Sequence, residues 1–237
     1  MPANLLPIFV KLADRRCLVA GAGTIAAAKI ASLLESGARV TVVAPHANPE
    51  VHSLAAAGKL EWLPREFAPN DLEGIFLVIA ATSDAAANRA VYLEAQRCGI
   101  LCNSVDDPPH CDFYFAAVVR RGDLQIAIST AGESPAVAQR LRRELDESLD
   151  QSAGEWLRLI GSLRREILSK RPPSDDRKRL LHLLAYSEIY ESEDGSTRTL
   201  KPPSAALDLH LREASEIETE APLSARKITG VKPGVKQ

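Results

Sequence analysis

The sequence predicts an α/β fold: a parallel sheet covered by helices, followed by a β-hairpin and helix, and then a small helical domain. Three observations carry this reading. Over about the first 110 residues, short β-type runs alternate with helical patterns, the order that builds a parallel sheet with helices on its faces. One of those runs, Gly74-Ile75-Phe76-Leu77-Val78-Ile79-Ala80-Ala81, is continuously apolar, as a strand covered on both sides must be. From Phe113 onward two β-rich runs flank an Arg121-Gly122-Asp123 turn, and helical patterns come after them.

In chain order, Leu6 to Leu12 (LPIFVKL) reads as an edge strand or lead-in, and Asp14-Arg15-Arg16 turns it into the first core strand, Cys17 to Ala20. Gly21-Ala22-Gly23-Thr24-Ile25-Ala26 follows. Then come an Ala/Leu-rich helix that stops at Gly37 and a second β run, Arg39 to Ala44. Asn48 to Gly58 is helix-like, and Leu60-Glu61-Trp62-Leu63 alternates as a half-buried strand does. After the apolar run, Thr82-Ser83-Asp84 caps a helix over Ala85 to Cys98, and Ile100 to Val105 is the fifth strand. Residues 1–112 therefore read as a doubly wound, Rossmann-type domain.

Phe113 to Arg120 and Leu124 to Thr130 read as the hairpin. Ala131-Gly132-Glu133-Ser134-Pro135 then launches a helix whose Val137, Leu141, Leu145 and Leu149 recur on one face. A lone hairpin and helix have too little core to stand alone, so residues 113–150 are expected to pack on a second copy as the dimerisation segment of a homodimer. Helical patterns over Glu155 to Leu168 and Ser174 to Tyr190, separated by Pro172-Pro173, make a small helical domain, 151–191. Residues 192–237 are rich in Ser, Pro, Glu and Lys and read as a tail without fixed structure, save one short helix near Ala205 to Ala214.

Composition narrows the function. With 46% hydrophobic residues in 237 there is ample material for a core, and a formal net charge of −2 gives no global field for nucleic acid. Any anion site must be local. The four cysteines (Cys17, Cys98, Cys102, Cys111) form no C-x-x-C pair and fit a reducing cytoplasm. No apolar run is long enough to span a bilayer, so no membrane partner is expected, and the scattered histidines have no metal-cage spacing.

The turn Gly21-Ala22-Gly23-Thr24-Ile25-Ala26 is a G-x-G-x-x-A string between a strand and a helix, with a second strand on schedule. Gly21 allows the tight turn, Gly23 lets backbone N–H groups close on a pyrophosphate, and Ala26 keeps the helix close to the strand. The same small residues would also serve a turn that is only structural. A ribose-binding Asp or Glu, or an Arg for a 2′-phosphate, is expected at the end of the second strand, but the chain there reads Val43-Ala44-Pro45-His46. On these residues NAD and NADP stay open.

Two further places could carry chemistry. Asn103-Ser104-Val105-Asp106-Asp107-Pro108-Pro109-His110 lies at the carboxyl end of the fifth strand, where open α/β sheets bind their ligands, and Asp106 could act as general acid or base. The same residues also read as an Asx-type turn leaving a strand. Gly132-Glu133-Ser134-Pro135, with Arg140, Arg142 and Arg143 downstream, reads as a helix N-terminus able to hold an anion, or as an ordinary N-cap before a solvated basic face.

As a set these residues resemble a known family. Leu6-Pro7-Ile8-Phe9, Cys17 to Gly23, Val40 to Pro45, Ala80 to Asp84, Cys102 to Asp106 and Ile128 to Pro135 resemble the precorrin-2 dehydrogenase / sirohydrochlorin ferrochelatase family, found alone and as the N-terminal module of siroheme synthase. The resemblance covers about residues 3–190. It implies NAD-dependent oxidation of precorrin-2 to sirohydrochlorin, in some members with insertion of Fe2+, as a second substrate, into the product. It implies a homodimer, a catalytic role for Asp106, and tetrapyrrole binding by Gly132, Ser134 and Arg140. It implies a cofactor site formed by Gly21, Ala22, Gly23, Thr24 and Ile25 with Ala44, Pro45, Thr82 and Asn103. The methyltransferase module of the longer enzymes has no counterpart here. Two rivals remain: an NAD(H)-sensing regulatory module, which leaves Asp106 and Ser134 without work, and a chelatase that does not oxidise.

Overall fold

A computed structural model describes residues 5–193, 196–202 and 231–232. The chain divides into two compact units, Met1–Phe115 and Ala116–Gln237.

The first unit is built on a five-stranded parallel sheet. Its strands are β1 (Arg16–Ala20), β2 (Arg39–Val43), β3 (Glu61–Leu63), β4 (Leu77–Ala80) and β5 (Leu101–Ser104), in the order β3-β2-β1-β4-β5. Side chains of β1 alternate between two cores. Cys17 and Val19 pack beneath helix α1 (Thr24–Glu35) and α2 (Pro49–Ala56), while Leu18 and Ala20 pack beneath α3 (Ala85–Cys98). Because both faces are covered, β1 and β4 are apolar at successive positions rather than at every second one. The small residues Ala26 and Ala27 let α1 lie directly on the sheet, with Ile30 and Leu33 filling the space below.

The cap expected at Asp84 is present, and two others join it. Asn48 Oδ1 accepts the Val51 N–H (2.8 Å), Asp84 Oδ1 accepts the Ala86 N–H (2.8 Å), and Gly99 ends α3 with left-handed backbone. Burial raises the thiol pKa of Cys17 to about 11 and of Cys102, where Asp112 and Cys111 add to it, to about 12, so both behave as small hydrophobes. Leu6 to Leu12 runs as irregular lead-in rather than as a strand; Leu6, Ile8 and Phe9 stand in solvent, and Leu12 alone reaches the core.

The second unit opens with the hairpin of β6 (Ala117–Arg121) and β7 (Leu124–Ile128), closed by Gly122-Asp123 with Gly122 at φ +57°. Helices α4 (Pro135–Ser148), α5 (Ala153–Lys170) and α6 (Asp175–Leu184) follow. Arg121 is 7% exposed and ends α4 from below: its Nη2 donates to the Asp146 and Leu149 carbonyls and its Nη1 to the Asp146 carboxylate. A Cβ at Gly154 would collide with the Arg121 carbonyl, so glycine there lets the first turn of α5 sit on the hairpin turn. Trp156 is buried and donates to the Ser187 carbonyl (3.0 Å).

The last helix ends at Leu184, not at Tyr190. Residues beyond it pair as β8 (Glu188–Glu193) with β9 (Ser196–Leu200) and β10 (Val231–Lys232), where sequence composition suggested the end of a helix and then unstructured chain. Glu188-Ile189-Tyr190-Glu191 has no clear period of two or of 3.6, which is why periodicity does not separate a strand from a helix end. The short helix expected near Ala205 to Ala214 lies outside the described residues.

Candidate active site

The order β3-β2-β1-β4-β5 puts the topological switch point between β1 and β4, and the turn after β1 lies at that point. Gly21 has φ +113°, and a Cβ there would collide with the Ala81 carbonyl in the turn after β4. Two strand ends therefore meet only because position 21 has no side chain. Gly23 differs: nothing lies within 4 Å of a Cβ placed on it, and it caps α1 without any side-chain hydrogen bond. The first N–H groups of α1 thus open onto free space at the positive end of the helix dipole. This is the arrangement a pyrophosphate requires, and the residues present fit a dinucleotide.

The other expected cofactor residues divide into lining and scaffold. Thr24 and Ile25 are exposed on the first turn of α1, while Ala22 is buried and its carbonyl accepts the Asn48 N–H (3.0 Å). Ala44 is buried, with its carbonyl accepting the Trp62 Nε1–H (3.0 Å), and Pro45 is exposed at the strand end. The Thr82 N–H and hydroxyl both donate to Asn88 Oδ1 (3.0 and 2.8 Å), which fixes the turn that Gly21 abuts.

After β5 the chain makes a loop and returns along the free edge of that strand. Asn103 bridges to Cys111; its Nδ2 donates to the Phe113 carbonyl (2.8 Å), and the Asp112 carboxylate accepts the Cys102 N–H (2.9 Å) and Gln96 Nε2–H (2.8 Å). Asn103, expected at the cofactor, is 7% exposed and holds this loop closed. Asp106 sits in the loop, exposed, at φ +60°, a left-handed conformation that Asp and Asn tolerate better than most residues. That conformation turns the chain at the carboxyl end of β5, so the loop geometry and the placing of this carboxylate are one feature.

Two contributors have partners that the sequence did not show. The first is His110, whose Nδ1 lies 2.6 Å from Asp107 Oδ2 and whose Nε2 lies 3.2 Å from Arg89 Nη1, with the Tyr92 ring edge-on at 4.6 Å. Arginine can only donate, so Nε2 accepts and Nδ1 donates to Asp107. The spacing Asp107-Pro108-Pro109-His110 was the available signal.

The second is Lys29 on α1. Its Nζ lies 3.9 Å from the Phe115 ring centroid, and Phe113 packs beside Phe115 at 5.7 Å between centroids. Burial lowers the Lys29 pKa below its ordinary value, and the charges of Asp106 and then Cys111 draw it back up. Its signal was a single charge in an otherwise apolar helix stretch, TIAAAKIASLL.

In the second unit, Ala131 (φ +52°) and Gly132 (φ +87°) turn the chain into α4. Ser134 Oγ accepts the Val137 N–H (3.3 Å), and the Ser134 N–H donates to Thr130 Oγ1 (3.2 Å). Pro135 occupies the first helical position and no acidic residue lies in the first turn, although Glu133 directly precedes the Ser134 cap. Arg140 is exposed and pairs with Glu144 (3.4 Å).

Comparison with known proteins agrees with this arrangement. The family model for NAD(P)-binding domains matches residues 8–117, and the model described as sirohaem biosynthesis protein central matches residues 121–148. A solved structure titled SirC, precorrin-2 dehydrogenase, superimposes with a TM-score of 0.64 at 29% identity, covering 75% of this chain and 88% of that one. The chain is thus similar in sequence and fold to a precorrin-2 dehydrogenase. Siroheme synthase of Neisseria meningitidis serogroup C is 42% identical over 176 residues, covering 74% of this chain and 36% of that enzyme. Siroheme synthase of Photorhabdus laumondii is 43% identical over 164 residues, 69% of this chain and 35% of that one. The chain thus spans about a third of the length of the curated relatives it matches.

Proposed function

We propose that this chain oxidises precorrin-2 to sirohydrochlorin with NAD as hydride acceptor. One observation carries the reading: the open glycine turn after β1 and the left-handed Asp106 after β5 stand at the carboxyl edge of one sheet, flanking its switch point. The likeness to SirC and to part of the siroheme synthases supports it.

The reaction removes two electrons and two protons from the reduced macrocycle. One ring carbon gives up a hydride, a neighbouring site gives up a proton, and a new double bond closes between them. NAD, when bound, supplies the nicotinamide that takes the hydride. Backbone N–H groups of Gly23, Thr24 and Ile25 hold the pyrophosphate, and Ala44 and Pro45 border the adenosine side. The end of β2 carries neither the acid nor the arginine that would choose between NAD and NADP, and the choice of NAD follows the resemblance. Asp106, or a water that it orients, accepts the proton. The Ser134 hydroxyl and the first N–H groups of α4 receive a substrate carboxylate, with Gly132 allowing close approach and Arg140 adding a guanidinium.

The working unit in this proposal is a homodimer joined through residues 113–150, and the compartment is the cytoplasm, where free thiols persist. Among the described residues no helix is long and apolar enough to cross a membrane. Purified protein mixed with precorrin-2 and NAD under nitrogen is expected to raise NADH absorbance as sirohydrochlorin appears, with NADP a poorer acceptor. Binding of NAD without turnover would instead favour a regulatory module. Ferrous ion added to the product then reads chelation separately.

A further inference from the structure

We propose that Lys29, seated on the Phe115 ring at the rim of the sheet, is a positioning residue for the dehydrogenation, its fixed positive charge orienting the Asp106 carboxylate toward the reacting centre. The proposal rests on the functional reading above and assigns a role that the dinucleotide turn and Asp106 leave unexplained.

Four observations lead to it. Lys29 is the one charged side chain of α1 before its terminal Glu35, on a helix whose neighbouring residues Ala26, Ala27 and Ile30 are buried against the sheet. A lysine that only solubilised the helix would extend into water, where its entropy is greatest. Lys29 instead is half-buried, with its ammonium 3.9 Å from the centre of an aromatic face. That face is itself held: Phe115 packs on Phe113, and the Phe113 carbonyl is bonded to Asn103 Nδ2 at the end of β5. The ammonium is therefore tied to the same loop that carries Asp106.

The charge is also placed where it acts on that carboxylate. Burial disfavours the charged ammonium, and the charge of Asp106 does more than that of Cys111 to restore it. A ring face accepts a cation without neutralising it, so the positive charge remains available to the carboxylate and to an anionic substrate. A carboxylate as direct partner would have cancelled it.

The test compares Lys29→Met, which keeps the apolar stem, with Lys29→Arg, which keeps the charge. In the NADH assay, Lys29→Met is expected to lower kcat about 10- to 100-fold, the loss typical of a misplaced catalytic group, with the NAD dissociation constant within about 3-fold of wild type. Lys29→Arg is expected to recover most of that loss. Adding Lys29→Met to Asp106→Asn should cost little more than Asp106→Asn alone. Should Lys29→Met fold poorly, Phe115→Leu removes the seat and keeps the charge, with an expected loss of about 3-fold.

Wild-type turnover with unchanged kcat in Lys29→Met overturns the positioning role and leaves the proposed function standing. Equal loss in Lys29→Met and Lys29→Arg, with matching falls in melting temperature, overturns it in favour of a packing role. A wild-type protein that binds NAD but never oxidises precorrin-2 overturns the functional reading, and the role of Lys29 falls with it.

Discussion

Gly21 and Gly23 are two residues apart and do different work, so they should fail differently. At Gly21 an added methyl group meets the Ala81 carbonyl and a backbone φ of +113° that side chains resist. Gly21→Ala should therefore lower stability by more than about 2 kcal/mol and abolish NAD binding with it. Gly23→Ala meets nothing in the protein, so its melting temperature should match wild type while NAD affinity falls at least about 10-fold. Calorimetric melts and NAD titrations separate the two. At Asp106, Asn keeps both the shape and the tolerance for φ +60°. Asp106→Asn should leave stability and NAD affinity intact and cut kcat about 10²-fold; unchanged turnover would remove the proton-handling role. The turn and Asp106 were legible in the sequence because each is local, three glycine-spaced positions in one case and a strand end in the other. Lys29 and His110 were not, because their meaning lies in partners 86 and 21 residues away, Phe115 and Arg89.

At the level of elements, loops are held by charged groups that complete backbone hydrogen bonding. Asp71 takes a bidentate pair from Arg65 (2.6 and 2.8 Å) and the Ala68 N–H (2.8 Å), and the Arg65 bonds above all hold its carboxyl below its ordinary value of 3.8. A carboxylate with a depressed folded pKa stabilises fully above its unfolded value and loses that contribution as pH falls through the folded one. Asp71→Asn should thus melt a few degrees below wild type at neutral pH, and the gap should close toward pH 3. Arg121 carries a larger share in the second unit, since it alone satisfies two carbonyls at the end of α4 and is buried. Arg121→Met should lower stability by about 2–3 kcal/mol, read by chemical denaturation, without touching NAD affinity. The sheet strands, the hairpin and most caps were readable because pattern and turn chemistry agree over each of them. The boundary at Leu184 was not, since residues 188–191 alternate weakly and only pairing with β9 decides their state.

For the whole molecule, the fold supplies two anion-facing helix ends, α1 in the first unit and α4 in the second, each opened by glycine-containing backbone and left without acidic residues in its first turn. One suits a pyrophosphate and the other a carboxylate, which matches the proposed hydride transfer from a polyacidic macrocycle to a dinucleotide. The near-zero net charge makes these local fields the chief means of attracting two anionic ligands. The most direct measurement is an anaerobic single turnover of precorrin-2 with limiting NAD, followed for NADH and tetrapyrrole absorbance together. The account predicts one NADH formed for each sirohydrochlorin, with both signals rising at the same rate and both lost in Asp106→Asn. Sirohydrochlorin appearing without NADH, or NAD bound with the tetrapyrrole unchanged, would contradict it.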